Sequence, residues 1–277
     1  MEHIRALVTG NQEIADGYYE LEFVLPEGSP GPAPGQFLTI RVDEANIPLL
    51  RRPFAYSAWD AESRRAAIIY QRRGNATKIL TGKNSHDRLD ILSPLGNRFP
   101  LPSALPAEGG GGSRRPVLLA GGIGMGPMFF FAEDLANRGH DPLLIVGARS
   151  ASLLPDLTRY SRAETLVATD DGSAPGSFHG NIIGALDHYA GRNEGDLSGN
   201  RAADGFELYA CGPHVMMAAA QLWARQRNVP LWVSLEQTMG CAVGACMGCV
   251  VPVDDDKKYA RVCSEGPIFP GGYIQWR

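Results

Sequence analysis

Apolar and polar residues alternate through the first hundred positions of the chain. Short runs rich in β-branched and aromatic residues at 18–25, 36–42 and 66–71 read as strands. Breaks rich in Pro and Gly, such as 26–32, separate them, and short strands at that spacing predict a small antiparallel barrel. A turn at Gly74 leads into Lys78-Ile79-Leu80, where a brief helix is expected. Beyond a Gly-rich stretch at 107–116, whose composition supports no packed core, the pattern changes. Continuous apolar runs at 117–120, 143–148, 165–169 and 207–210 now alternate with helical patterns at 127–138 and 214–227. Such runs belong to strands covered on both faces, the mark of a parallel sheet flanked by helices. The polar stretch 191–204 reads as an exposed loop. The predicted architecture is multidomain, β followed by α/β: an antiparallel barrel at 1–103, a parallel-sheet α/β domain at 114–230 and a small C-terminal domain at 231–277.

Composition narrows the function classes. The 277 residues, 44% hydrophobic and 20% charged, suffice for two medium domains and a small one. A formal net charge of −4 offers no general attraction to nucleic acid or anionic lipid, so neither partner is expected. The first 17 residues lack a basic segment followed by an apolar run. The apolar stretch 117–132 is broken by glycines and a proline and is shorter than the roughly 20 residues of a membrane helix. A cytoplasmic protein with no membrane span is expected.

Four of the 5 cysteines then change the picture. Cys241, Cys246, Cys249 and Cys263 form a C-x4-C-x2-C-x13-C array in a Gly-rich segment. The first three fit the spacing by which plant-type ferredoxins hold a [2Fe-2S] cluster, with a more distant fourth thiolate. Four thiolates also suit zinc, although structural zinc sites more often use two paired knuckles. Crowding of thiols in a chain of this size favours metal binding over a disulfide framework. Gly240, Gly244 and Gly248 would let the loop wrap closely, so that backbone N–H groups reach the sulfurs. The fifth, Cys211, reads as a small buried hydrophobe near a ligand crevice.

Two glycine-bearing turns fall at the C-terminal edge of the predicted parallel sheet, where ligands of such folds bind. They are Gly121-Gly122-Ile123-Gly124-Met125-Gly126-Pro127 and Cys211-Gly212-Pro213. Glycine lets a backbone approach a pyrophosphate, and the helix N-terminus after the first turn would face it; plain steric need for glycine is the alternative. In the barrel, the segment Arg51 to Ser57 combines arginines, aromatics and a hydroxyl suited to a flavin nucleotide, or makes a strand with a basic edge.

These elements, in this order, resemble the ferredoxin-reductase-like flavoproteins. The match narrows at Gly244-Ala245-Cys246-Met247-Gly248-Cys249 and at Arg261-Val262-Cys263-Ser264-Glu265-Gly266-Pro267-Ile268-Phe269. It extends through Ser93 to Phe99, Gly147 to Ser150, Thr169 to Ser173 and Ser234 to Glu236, essentially end to end. The family indicated is the electron-transfer subunits of two-subunit, NAD-dependent dihydroorotate dehydrogenases. That resemblance implies FAD on Arg52, Pro53, Phe54, Ala55, Tyr56, Ser57, Ile69, Tyr70, Gln71, Gly74, Ala76 and Thr77. It implies NAD at Gly121, Gly122, Gly124, Pro127, Arg149, Asp170, Cys211, Gly212 and Pro213, and a [2Fe-2S] cluster on the four cysteines. Two positions depart from the family pattern: Ala55 stands where a serine is expected, with Ser57 as its replacement, and Ala76 precedes Thr77 in place of glycine. Arg149 leaves NADP open beside NAD.

The implied work is a relay with no acid–base residue in this chain. An FMN-containing catalytic subunit oxidises dihydroorotate, and electrons reach NAD+ through the cluster and FAD, a step of pyrimidine synthesis. The expected assembly is a heterotetramer with two copies of each subunit. The alternatives are an NAD(P)H:ferredoxin-type or hydrogenase-associated diaphorase subunit and, remotely, a zinc-stabilised binding module. Tyr259, Phe269, Tyr273 and Trp276 are candidate partner contacts or core residues.

Overall fold

The computed structural model describes residues 1–43, 48–104, 113–160, 162–192 and 205–276. The chain begins with strands β1 (Glu2–Ala15), β2 (Tyr18–Val24), β3 (Phe37–Arg41), β4 (Arg52–Asp60) and β5 (Arg65–Gln71). The short helix α1 (Asn75–Leu80) and strand β6 (Arg88–Leu95) follow, and the strands close into an antiparallel barrel in the order β1-β2-β5-β4-β3-β6. Period-two patterning is plain in β6, where Leu89, Ile91, Ser93 and Leu95 are buried between less buried neighbours. The buried Ser93 hydroxyl is satisfied by Tyr56, itself fully buried in the barrel.

The second layer system contains β7 (Arg115–Gly121), α2 (Met125–Asn137), β8 (Leu143–Ala148), β9 (Glu164–Thr169) and β10 (Phe178–His179). It continues with α3 (Ile182–Arg192), β11 (Phe206–Cys211), α4 (His214–Gln226) and β12 (Leu231–Ser234). Then come the hairpin β13 (Val250–Pro252) and β14 (Tyr259–Arg261), and finally β15 (Ile268–Pro270). Seven strands form one sheet, β10-β9-β8-β7-β11-β12-β15, parallel except for its last pair. Segment 231–277, expected as a separate unit, thus gives two strands to the nucleotide-domain sheet, and the thiol loop grows out between them. The expected loop 107–116 gives up Arg115 and Pro116 to β7, and its first six residues lie outside the described ones, as does most of 191–204. Helix α3 was missing from the sequence reading.

Helix α2 is apolar on nearly all sides because it is covered on both: Phe130 enters the barrel core, while Phe129 and Phe131 pack under the sheet. Phe99, just past the barrel, stacks on Phe131 at 4.7 Å between centroids, and Phe131 meets the edge of Tyr209 at 4.9 Å. Each such ring contributes about 1.5–3 kcal/mol on burial. Two polar ties join the same layers. The Asp16 N–H donates to the Ser152 carbonyl, and the buried Glu20 carboxylate meets Arg159 at 2.7 Å.

Candidate functional site

The four thiols of the array fall into two pairs. Cys241 and Cys246 lie near the surface and interact with one another, whereas Cys249 and Cys263 are buried together. Backbone amides point at the sulfurs: Ala245 and Cys246 donate to Cys241 Sγ at 3.2 and 3.3 Å, and Gly244 to Cys263 Sγ at 3.1 Å. The Gly248 amide reaches Cys246 Sγ and the Cys263 amide reaches Cys249 Sγ, each at 3.4 Å. The Val243 and Cys246 amides pull the Cys241 thiol down to about 6, whereas burial and the neighbouring Cys249 push Cys263 up to about 11. Among the described residues, no three or more Cys, His, Asp or Glu side chains converge as a cage for one ion. Two thiol pairs ringed by N–H donors fit a cluster with two metal centres better than a single tetrahedral zinc.

The glycines serve the loop differently from one another. Gly244 has φ +84°, and a Cβ there would fall 2.8 Å from Ser264 Oγ. Gly240 and Gly248 instead leave room beside Cys246 Sγ, which would sit 3.3 and 3.4 Å from an added Cβ. The left-handed conformation is also taken by Ala242 and Met247. Of the expected partner contacts, Phe269 is buried and Tyr273 and Trp276 pack on the core, while Tyr259 is 50% exposed. Tyr259, Met247 and Val243 are the exposed apolar side chains of this segment.

A clamp that sequence reading did not single out fixes this loop to the barrel. The Asn97 side chain donates to the Ile268 carbonyl at 2.8 Å and the Glu265 carbonyl at 3.3 Å, and accepts from the Ile268 N–H at 2.9 Å. Its own N–H donates to the Gly266 carbonyl at 2.8 Å. Gly96 packs so closely that an added Cβ would lie 2.5 Å from Pro267 Cδ. In the sequence, only the family resemblance through Ser93 to Phe99 points toward this contact.

In the barrel, alternation divides the expected flavin residues into two sets. Tyr56, Tyr70 and Ala76 belong to the barrel interior, where burial raises both phenols; Tyr70 donates to Asn11 Oδ1 at 2.9 Å. The Thr77 hydroxyl accepts from the Arg73 and Gly74 amides at 3.0 and 3.1 Å, capping its own helix. Arg52 donates to the Leu50 carbonyl, Phe54 packs edge-on to Tyr70, and Gly74 lies exposed before α1. On the outer face, Ser57 and Ile69 approach α2, with an added Cβ on Gly126 falling 3.5 Å from Ser57 Cβ and 3.4 Å from Ile69 Cβ. Pro53, Ala55 and Gln71 are half-buried on the same two strands. Among the described residues, the buried Ser57 hydroxyl has no hydrogen-bond partner. Buried hydroxyls are nearly always paired, so a polar ligand edge at this seam would meet an outstanding need.

The two glycine-bearing turns touch. A Cβ on Gly124 would stand 2.2 Å from the Cys211 carbonyl oxygen, and one on Gly121 2.4 Å from Met216 Sδ. Close packing on the Cys211 backbone requires glycine at 124, whereas the Met216 and Pro213 side chains crowd the Cβ position at 121. Gly122 differs: at φ +53° it has open space, with the Tyr18 hydroxyl 3.7 Å from an added Cβ. Pro127 is buried in the first turn of α2, and Gly212 is extended against Gly121. Arg149 and Asp170 are exposed at the neighbouring ends of β8 and β9, and the Asp171 amide donates to the Arg149 carbonyl at 3.2 Å. Arg149 and Arg73 both bring positive charge to Tyr18 at the barrel rim. Burial pushes the Cys211 thiol up to about 12, with Ser234 as its hydrogen-bond partner, so it is neutral and not a nucleophile.

Comparison with known proteins fits this geometry. Residues 236–275 match the iron-sulfur cluster binding domain of dihydroorotate dehydrogenase B. A relative from Geobacillus thermodenitrificans (strain NG80-2), named dihydroorotate dehydrogenase B (NAD(+)), electron transfer subunit, is 39% identical over 98% of this chain and 97% of its own. A relative of the same name from Bacillus cereus (strain Q1) is 32% identical over 99% of both chains. Among solved structures, the NADH-dependent reduced ferredoxin-NADP oxidoreductase superposes with a TM-score of 0.79 at 25% identity, covering 98% of this chain and 90% of that one. Phthalate dioxygenase reductase shares the fold, with a TM-score of 0.61 at 18% identity over 94% of each chain. The chain belongs to the family of dihydroorotate dehydrogenase B (NAD(+)) electron transfer subunits.

Proposed function

We propose that the chain carries electrons from an FMN-containing dihydroorotate dehydrogenase catalytic subunit to NAD+, using a [2Fe-2S] cluster and FAD, in pyrimidine synthesis. The observation that carries this reading is the paired-thiol loop held by Asn97 against the flavin-type barrel, in a chain whose relatives bear that name. A flavin exchanges single electrons with iron–sulfur centres and a hydride with nicotinamide, which is the chemistry such a relay needs.

The protein's own part is to hold and to exclude. Cys241 with Cys246, and Cys249 with Cys263, would ligate one iron each, and the amides of residues 244–246 donate to their sulfurs. Arg52 would pair with the flavin nucleotide's pyrophosphate, the Ser57 hydroxyl would meet a polar flavin edge, and Pro53, Ala55 and Ile69 would line the seam under α2. Gly122 and the N-terminus of α2 leave room for the nicotinamide nucleotide's pyrophosphate, Arg149 and Asp170 border its ribose, and Cys211 contributes a neutral, compact wall. Aromatic layers of Phe99, Phe131 and Tyr209 keep water from beneath the seam.

The site of action is the cytoplasm, supported by a cysteine spacing that suits metal ligation rather than a disulfide framework; no described helix is long and apolar enough to cross a membrane. The partner is the catalytic subunit, two copies of each forming the complex. Co-expression of the two subunits tests the reading. A complex with flavin bands, broad red cluster absorption and dihydroorotate-dependent NAD+ reduction is expected. A colourless zinc protein, or a coloured complex inert toward dihydroorotate, overturns it.

A further inference from the structure

Beside the buried thiol pair stands an ion pair to which the relay assigns no role. Arg261, at the end of β14, directs its backbone N–H and its Nε to one oxygen of Glu265, at 2.8 and 2.9 Å. The other oxygen of Glu265 faces Lys257 at 3.8 Å. From its far side, Arg261 Nη1 donates to the Gly244 carbonyl at 3.2 Å. Gly244 is the residue whose amide donates to Cys263 Sγ at 3.1 Å. The guanidinium therefore holds the residue whose amide serves the buried sulfur, through the following peptide, whose own N–H, that of Ala245, donates to Cys241 Sγ.

The orientation of the pair gives it a sign. The guanidinium of Arg261 reaches the thiol loop at the Gly244 carbonyl, within electrostatic reach of Cys263 and Cys249, and its Nε side is taken by the Glu265 carboxylate. The outer sulfur, Cys241 Sγ, is served instead by the Val243, Ala245 and Cys246 amides and by the Cys246 thiol. Reducing a [2Fe-2S] cluster adds one electron, converts one ferric ion to ferrous and breaks no bond. A nearby positive charge favours the extra electron and a nearby negative charge opposes it. Both side chains are about a third exposed, at 37% and 30%, so water and salt screen the effect without abolishing it.

We infer that Arg261 and Glu265 act as an opposed charge pair that sets the reduction potential of the cluster, Arg261 raising it and Glu265 holding it down. The inference rests on the reading of the four thiols as [2Fe-2S] ligands. Arg261 is a positioning residue as well, since it holds the Gly244 carbonyl. Together the two side chains decide how readily the cluster accepts an electron from the flavin-bearing catalytic subunit.

The test is a mediated dithionite titration of the purified, cofactor-loaded complex, followed by EPR of the reduced cluster. Arg261→Gln is expected to lower the potential by at least a threefold change in the one-electron equilibrium, about 28 mV at 59 mV per tenfold. Glu265→Gln, which keeps an oxygen for the Arg261 N–H groups, is expected to raise it by a similar factor. Arg261→Lys should fall between wild type and Arg261→Gln, and all shifts should shrink in 0.5 M salt. Shifts of the same sign, or both within threefold of wild type, overturn the inference. If Arg261→Gln fails to assemble a cluster, Glu265→Gln alone decides by the direction of its shift. A wild-type protein without a [2Fe-2S] signal defeats the cofactor reading itself, and the inference with it.

Discussion

Replacing Asn97 with alanine removes the side-chain half of the clamp between barrel and thiol loop. Three hydrogen bonds disappear, to the Ile268 carbonyl and N–H and, more weakly at 3.3 Å, to the Glu265 carbonyl. At roughly 1 kcal/mol for each good neutral bond, the loop loses about 2 kcal/mol of local stability. Because each 1.4 kcal/mol is a factor of ten, local opening becomes about 30-fold more frequent. Hydrogen exchange of the cofactor-loaded protein reads this directly at three amides. These are Ile268, Asn97, which donates to Gly266, and Leu235, which donates to the Pro267 carbonyl at 2.9 Å. Amides in the ladder between β1 and β2 should keep their wild-type rates. The reasoning fails if exchange at Asn97 and Leu235 changes less than threefold, or if the barrel loosens by the same factor.

Other expectations follow from single contacts. Gly124→Ala drives a methyl into the Cys211 carbonyl, backbone against backbone, and should cost more than about 3 kcal/mol in urea unfolding; Gly122→Ala, strained only by its positive φ, should cost about 1. Equal losses in the two variants would refute the packing account. In cluster-free protein at pH 7.5, Cys241, with its thiol near 6, is mostly thiolate and reacts readily with iodoacetamide. Its reaction should slow as pH falls through about 6, whereas Cys211, near 12, stays unmodified by peptide mass mapping; early labelling of Cys211 would contradict its burial. Cys249→Ser should abolish dihydroorotate-dependent NAD+ reduction yet spare NADH-driven dye reduction, and parallel loss of both would show the loop to be needed for the fold.

Much of the architecture was legible because hydrophobic burial follows local period. β2 alternates and is half covered, while β7 and β8 are continuous and covered on both faces. Where chemistry and geometry share residues, the reading blurred. Arg52 to Ser57 was read mainly for ligand contacts, yet it is a barrel strand in which Tyr56 fills the core. Helix α3 escapes the sequence pattern because Gly184 weakens its helical signal and its start depends on the Asn181 side chain accepting from the Gly184 amide. The cysteine spacing announced a metal centre but not its division into an outer and a buried pair. Contacts such as Glu20 with Arg159 or Asn97 with Ile268 join positions far apart in the chain, and no local pattern encodes them.

The placement of β15 bears on how the protein is made. It lies antiparallel on β12, so the thiol loop is an excursion whose two ends are already stitched side by side by the sheet. The entropy of bringing those ends together is met by the sheet rather than by the iron. Iron delivery then has only to order the tip of a loop rather than fold a domain. The same strand covers the outer edge of β12, which would otherwise offer unpaired amides to a second chain. The edge then passes to β15, only three residues long, where Asn97 takes the Ile268 carbonyl and N–H.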